Sequence, residues 1–181
     1  MILETDRLYL RKMTQEDYSA LCRMLQDPDV MYAYEHAFSE EEAHQWLHKQ
    51  LARYEKYGFG LWAVILKETD EMIGQCGLTM QDWNGREVLE VGYLFCKDFW
   101  HKGYAIEAAA ACKKYAFENL QADAVYSIIR DTNTASQNVA RRNGMKTVGS
   151  LTKHYYRIDM PHLVFCAHGS EQDPNQTKTK F

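Results

Sequence analysis

Residues 99–117, FWHKGYAIEAAAACKKYAF, constrain this chain more than any other stretch. The alanine-rich second half is a strong helix former. Ala105, Ala109, Cys112, Ala116 and Leu120 fall on one narrow face and nearly all are small, so the helix can lie close against a sheet. Its start is less ordinary. Helices prefer Ser, Thr, Asn or Asp as N-cap, and none occurs in WHKGY. The first backbone N–H groups therefore need water or a ligand as partner.

The rest of the chain supplies the sheet. RLYLRK alternates and reads as a strand, followed by a helix with Thr14 as N-cap and Asp17 three residues on, stopping at Asp27-Pro28. Ser39 and Glu42 form a second capping box, opening a helix with Ala43, Trp46, Leu47, Leu51 and Tyr54 on one side and an end near Gly58. GLWAVIL and MIGQCGL read as a hairpin across KETDE. A longer turn containing DWNGRE then leads to VLEVGYLF, completing an antiparallel meander. After the long helix come a strand, AVYSIIR, a short helix in NTASQNVARRNGM closed by Gly144, and a last strand, HLVFCA. The order β-α-α-β-β-β-α-β-α-β predicts an α/β (α+β) domain, with helices packed on a mostly antiparallel sheet. One domain over residues 1–168 is expected, with a disordered, apolar-poor tail at 169–181.

A formal net charge of −4 argues against nucleic acid as partner. No apolar run reaches membrane-spanning length, and MILETDRLYLRKM lacks the apolar core of a signal peptide. Five cysteines without a C-x-x-C pair suit a reducing cytoplasm better than a disulfide framework.

Gly103 permits close backbone approach and Lys102 adds positive charge at the uncapped helix start, the ingredients of a phosphate or pyrophosphate cradle. Neither a P-loop nor a dinucleotide glycine motif is present. A tight turn with water on the amides fits the same residues. Glu90, inside the apolar run VLEVGYLF, is a second candidate, because a carboxylate there must be paired, protonated or facing a cleft. An outward-facing position on a half-exposed strand is the alternative. Asn133 reads as an N-cap. His44 and His48 share an i,i+4 spacing but lack the intervening glutamate and third ligand of a metal motif, so no metal is expected.

ETDRLYLR, IGQCGL, EVGY, GYAIEA and N-x-x-S…NGM occur in an order that resembles the GNAT superfamily of acyl-CoA-dependent N-acetyltransferases, over about residues 3–167, and within it the RimJ/RimL-like branch. The family's Q/R-x-x-G-x-G/A signature corresponds to WHKGYA: Gly103 and Ala105 match, Trp100 departs as in that branch, and His101 stands where glycine is usual. The resemblance implies acetyl-CoA as cosubstrate, cradled by Trp100, His101, Lys102, Gly103, Tyr104 and Ala105. The backbone of Tyr93, Leu94 and Phe95 would follow the pantetheine arm. Asn133, Ser136, Asn138 and Arg141 would reach the coenzyme from the short helix. It further implies Glu90 as base or water relay and Ser136 as donor to the leaving thiolate.

The same resemblance implies Tyr155, Tyr156 and His162 as walls of an acceptor pocket; Glu35 is among acids that could attract a cationic amine. Core packing for the aromatics and helix-start stabilisation for the acids are the competing readings. The implied activity is direct acetyl transfer to a primary amine, on a small molecule or a protein N-terminus. A non-catalytic acyl-CoA-binding module is the alternative, and a homodimer is compatible with the 13% aromatic content.

Overall fold

The computed structural model describes residues 1–169. The segment 170–181, most of the expected tail, lies outside the described residues. Gly169 itself donates its N–H to the Asp123 carbonyl at 3.1 Å.

The chain runs β1 (Leu3–Glu4), β2 (Leu8–Arg11), α1 (Tyr18–Leu25), α2 (Glu40–Tyr57), β3 (Leu61–Leu66), β4 (Glu71–Trp83), β5 (Arg86–Phe95), α3 (Tyr104–Glu118), β6 (Ala124–Arg130), α4 (Thr134–Arg142), β7 (Lys146–Tyr155) and β8 (Ile158–His168), with three short 3₁₀ turns between them. One eight-stranded sheet has the order β1-β2-β3-β4-β5-β6-β8-β7. Every pairing is antiparallel except β5–β6, which is parallel. The mixed, mostly antiparallel sheet flanked by helices is the architecture the sequence predicts.

Both capping boxes form. Asp17 accepts from the Thr14 N–H at 2.8 Å, and Glu42 exchanges bonds with Ser39. Gly58 closes α2 in the left-handed region at φ 78°. Helices cover both sides of β4. Cys76 meets Cys112 of α3 at 3.5 Å, whereas its neighbour Gln75 accepts from the Trp46 indole of α2 at 3.1 Å. Successive strand residues point to opposite faces, so α2 and α3 lie on opposite sides of the sheet. This explains the unbroken burial of β3 and of β4 from Met72 to Thr79.

Two expectations need correction. The connection after β4 is not a longer turn: it is a two-residue hairpin at Asn84-Gly85, both with positive φ, and the strands extend to Trp83 and Arg86. The strand β7, paired along its length with β8, is absent from the predicted order. β7 is one of two edge strands, the short β1, likewise not predicted, being the other; most β7 side chains are exposed, so its sequence carries no apolar alternation.

Candidate active site

The parallel contact between β5 and β6 consists of one register pair, Glu90 with Tyr126. A bond from Ser127 Oγ to the Val91 carbonyl, 2.8 Å, is its neighbour. Beyond this point β5 runs on to Phe95 still paired with β4, and β6 runs on to Arg130 paired with β8. Between them the sheet is open. A strand paired on one side only turns alternate N–H and C=O groups toward the vacant side.

Glu90 stands at the head of this opening. Its carboxylate accepts from the Ile128 N–H at 3.1 Å and from Thr79 Oγ1 at 3.0 Å; Thr79 in turn accepts from Gln81 Nε2. Burial raises the carboxyl pKa, while Lys153, the Ile128 N–H, Thr79 and Arg53 act against the rise. The side chain nonetheless touches a cavity of about 290 Å³. Glu90 is thus a held, desolvated carboxylate with one open side.

The cavity extends from Glu90 along Gly92, Tyr93 and Leu94 to Asn133 and Ser136 at the start of α4. Asn133 caps that helix by accepting from the Ser136 N–H at 3.0 Å and also accepts from the Tyr32 hydroxyl at 2.7 Å. The Tyr93 hydroxyl crosses the opening to donate to the Ser136 carbonyl at 2.8 Å, so its proton is committed. Burial raises the Tyr93 pKa well above the usual phenol range. The Ser136 hydroxyl makes no hydrogen bond among the described residues. Tyr155, Tyr156 and His162 form the far wall. Burial lowers the His162 pKa, against the bond its Nδ1–H donates to the Met160 carbonyl at 2.7 Å.

The remaining predicted residues lie outside the cavity lining. Glu35 is engaged in an ion pair with Arg130. Phe95 is buried, and its carbonyl accepts from the Trp100 indole at 2.9 Å, fixing the loop that follows. His101, Lys102, Gly103, Tyr104 and Ala105 form the start of α3. Gly103 is its N-cap at φ 83°, with no side-chain cap. His101 also has positive φ, 60°, which accounts for the usual glycine there. Arg7 borders this helix start: it donates to the Lys102 carbonyl at 2.9 Å and pairs with Glu107 at 2.6 Å. Burial pushes the Glu107 carboxyl up, but the bonds from Thr5 and Arg7 outweigh it and hold the pKa below the usual range. Asn138 and Arg141 are exposed and bonded to each other at 3.2 Å.

Several lining residues escaped the sequence reading: Tyr34, Lys49, Arg53, Gln75, Thr79 and Lys153. Gln75 alone carried a signal, as the one polar side chain in MIGQCGL. Among the described residues no group of three or more His, Cys, Asp or Glu side chains could hold a metal ion. Within the same residues, no helix is long and apolar enough to cross a membrane.

Residues 7–146 match the family described as acetyltransferase (GNAT) domain. The chain is 38% identical over 152 residues to the uncharacterized protein YkkB of Bacillus subtilis, covering 83% of this chain and 88% of that protein. It is 35% identical over 137 residues to the uncharacterized N-acetyltransferase p20 of Bacillus licheniformis, covering 74% and 76%. The crystal structure of a GNAT-family acetyltransferase from Bacillus anthracis superposes with a TM-score of 0.81 at 25% identity, over 94% of this chain and all of that one. The sheet that opens at Glu90, the uncapped helix beside it and these likenesses place the chain in the GNAT acetyltransferase family.

Proposed function

We propose that this protein transfers an acetyl group from acetyl-CoA to a primary amine by direct attack, and that it belongs with the RimJ/RimL-like members of its family. The observation that carries the reading is Glu90: a desolvated carboxylate, held by two donors, at the point where the sheet opens into a cavity. A purely structural acid would not need an open side.

The residues fit the cosubstrate. The first N–H groups of α3 have no side-chain cap, and Gly103 leaves the approach to them free except for the Arg7 guanidinium, 3.4 Å from where a Cβ would stand. A pyrophosphate suits such a helix start with a cation beside it. The strand edge from Gly92 to Phe95 offers hydrogen bonds to an extended amide arm, as an added strand would find. When bound, acetyl-CoA supplies an activated thioester.

The chain's own residues then have defined tasks. An alkyl ammonium has a pKa near about 10.4, so the acceptor must shed a proton before it can attack. Glu90, with its raised pKa, accepts that proton directly or through one water. The new bond joins the amine nitrogen to the acetyl carbon as the carbon–sulfur bond breaks. The uncommitted Ser136 hydroxyl, which lines the same cavity, would donate to the departing sulfur. Holding amine and thioester in line removes any need for a covalent enzyme adduct.

Titration calorimetry with acetyl-CoA, coenzyme A and ATP tests the reading on the wild type and on Gly103→Val, with circular dichroism to verify folding. Micromolar binding of the coenzyme species alone, lost in a folded variant, is expected. Absence of coenzyme binding by the wild type would remove the reading.

A further inference from the structure

We propose that the acceptor amine carries a carboxylate, so that the substrate is a small amino acid and not a polyamine or a neutral amine; this rests on the acetyltransferase reading above. The inference comes from the charges that line the cavity. Lys49 and Arg53, one turn apart on α2, Lys153 on β7 and Arg130 at the end of β6 all contribute to its wall, and Glu90 is the one acid there. Arg130 is already neutralised by Glu35. Three cations from two separate elements therefore line a cavity with a single carboxylate, and two of them, Lys153 and Arg53, act on it directly; Lys49 is exposed. Arg53 donates only to the neutral Gln50 side chain, at 3.0 Å, and neither Lys49 nor Lys153 has an ion-pair partner among the described residues.

The uncharged groups point the same way. Gln75 is fully buried, and its Oε1 is fixed as acceptor because the Trp46 indole can only donate. Its Nε2 is left as a buried donor without a partner, and so is Arg130 Nε. Both residues line the cavity. A wall of spare donors and uncompensated cations complements an acceptor-rich anion. Burial disfavours the charged form of His162.

The arrangement also suits the chemistry. Burial lowers the pKa of Lys49 and of Arg53, and for Lys49 the neighbouring Arg53 and Lys153 lower it further, while Glu90 acts to raise that of Arg53; three cations against one acid give the wall a net positive field. The same field would disfavour the charged form of a bound ammonium, while Lys153 and Arg53 also hold Glu90 toward its charged form. A polyamine would bring several further positive charges into that field. The cavity, about 290 Å³, includes the stretch along Gly92, Leu94 and Ser136 proposed for the coenzyme arm, so the space left for the acceptor is smaller still.

The test measures thiol release from acetyl-CoA with matched acceptors: free α- and ω-amino acids, the corresponding amides, spermidine and a tripeptide with an acidic N-terminal residue. Carboxylated amines should exceed their amides in kcat/KM by roughly 10²-fold. Lys153→Met and Arg53→Met should each raise KM for the carboxylated acceptor by roughly tenfold and shrink the acid-to-amide ratio, leaving KM for acetyl-CoA unchanged. Circular dichroism verifies that both variants fold. Equal or better turnover of amides, spermidine or the peptide would overturn the proposal while preserving the acetyltransferase reading. So would acetyl-CoA binding without turnover of any amino acid. Failure of acetyl-CoA to bind in calorimetry would instead remove both.

Discussion

A carboxylate set among apolar strand residues has to be compensated, and Glu90 shows how: two donors hold it and two cations lie nearby, yet burial still dominates its acidity. Glu90→Gln preserves shape, keeps the bond from the Ile128 N–H and can donate to Thr79 Oγ1 in place of accepting from it, while abolishing proton acceptance. Turnover should fall by roughly 10²–10⁴-fold with coenzyme affinity unchanged. In the wild type kcat/KM should climb with pH through a carboxyl pKa above the usual range, because the base works only when ionised; this limb should vanish in the variant. Steady-state kinetics across pH checks both. Glu90 was readable in the sequence because an acid inside VLEVGYLF violates the apolar pattern, and Asn133 because N-caps follow local rules. Lys49, Arg53 and Lys153 were not, since each looks like an ordinary surface cation until the fold brings α2 and β7 to one cavity.

At the scale of elements, two turns of similar form differ in strain. Asn84-Gly85 joins β4 to β5 with residues suited to positive φ. Tyr156-Arg157 joins β7 to β8 across the pair Tyr155–Ile158, and both residues have positive φ without being glycine. That strain puts Tyr155 and Tyr156 in the cavity wall. Arg157→Gly should therefore stabilise the protein by about 1 kcal/mol in urea unfolding. Gly77 is the opposite case. A Cβ there would lie 2.1 Å from the Gly60 carbonyl oxygen, and backbone cannot step aside. Gly77→Ala should cost about 3 kcal/mol or more, read in the same experiment. The long elements were legible because capping and periodicity are local signals. The turn at Asn84-Gly85 reads as longer than it is although NG is a strong two-residue signal, and β7 gives no signal because an exposed strand need not alternate.

For the whole molecule, acid is the natural probe. Burial pushes the Asp17 carboxyl up, but Arg11 and Thr14 outweigh this and hold it below 3.8; Glu107 is likewise depressed below 4.5. A depressed folded pKa contributes stability that is present above the unfolded value and lost as pH falls through the folded one. Chemical unfolding at stepped pH should show stability declining below about pH 4.5. Asp17→Asn should flatten that decline at a cost of roughly 2 kcal/mol at neutral pH. Glu90 runs the other way. Its raised pKa makes ionisation costly to the fold as pH rises, so Glu90→Gln should not lower neutral-pH stability. The opening between β5 and β6 has a further consequence, mechanical in kind. Five strands on one side and three on the other are riveted at a single rung, so the sheet behaves as two plates with a seam rather than as one slab. Whatever fills the seam becomes a beam in the load-bearing frame as well as a reactant. Amides of residues 92–95 should exchange with deuterium faster than those of β3, and slow once the coenzyme bridges the plates.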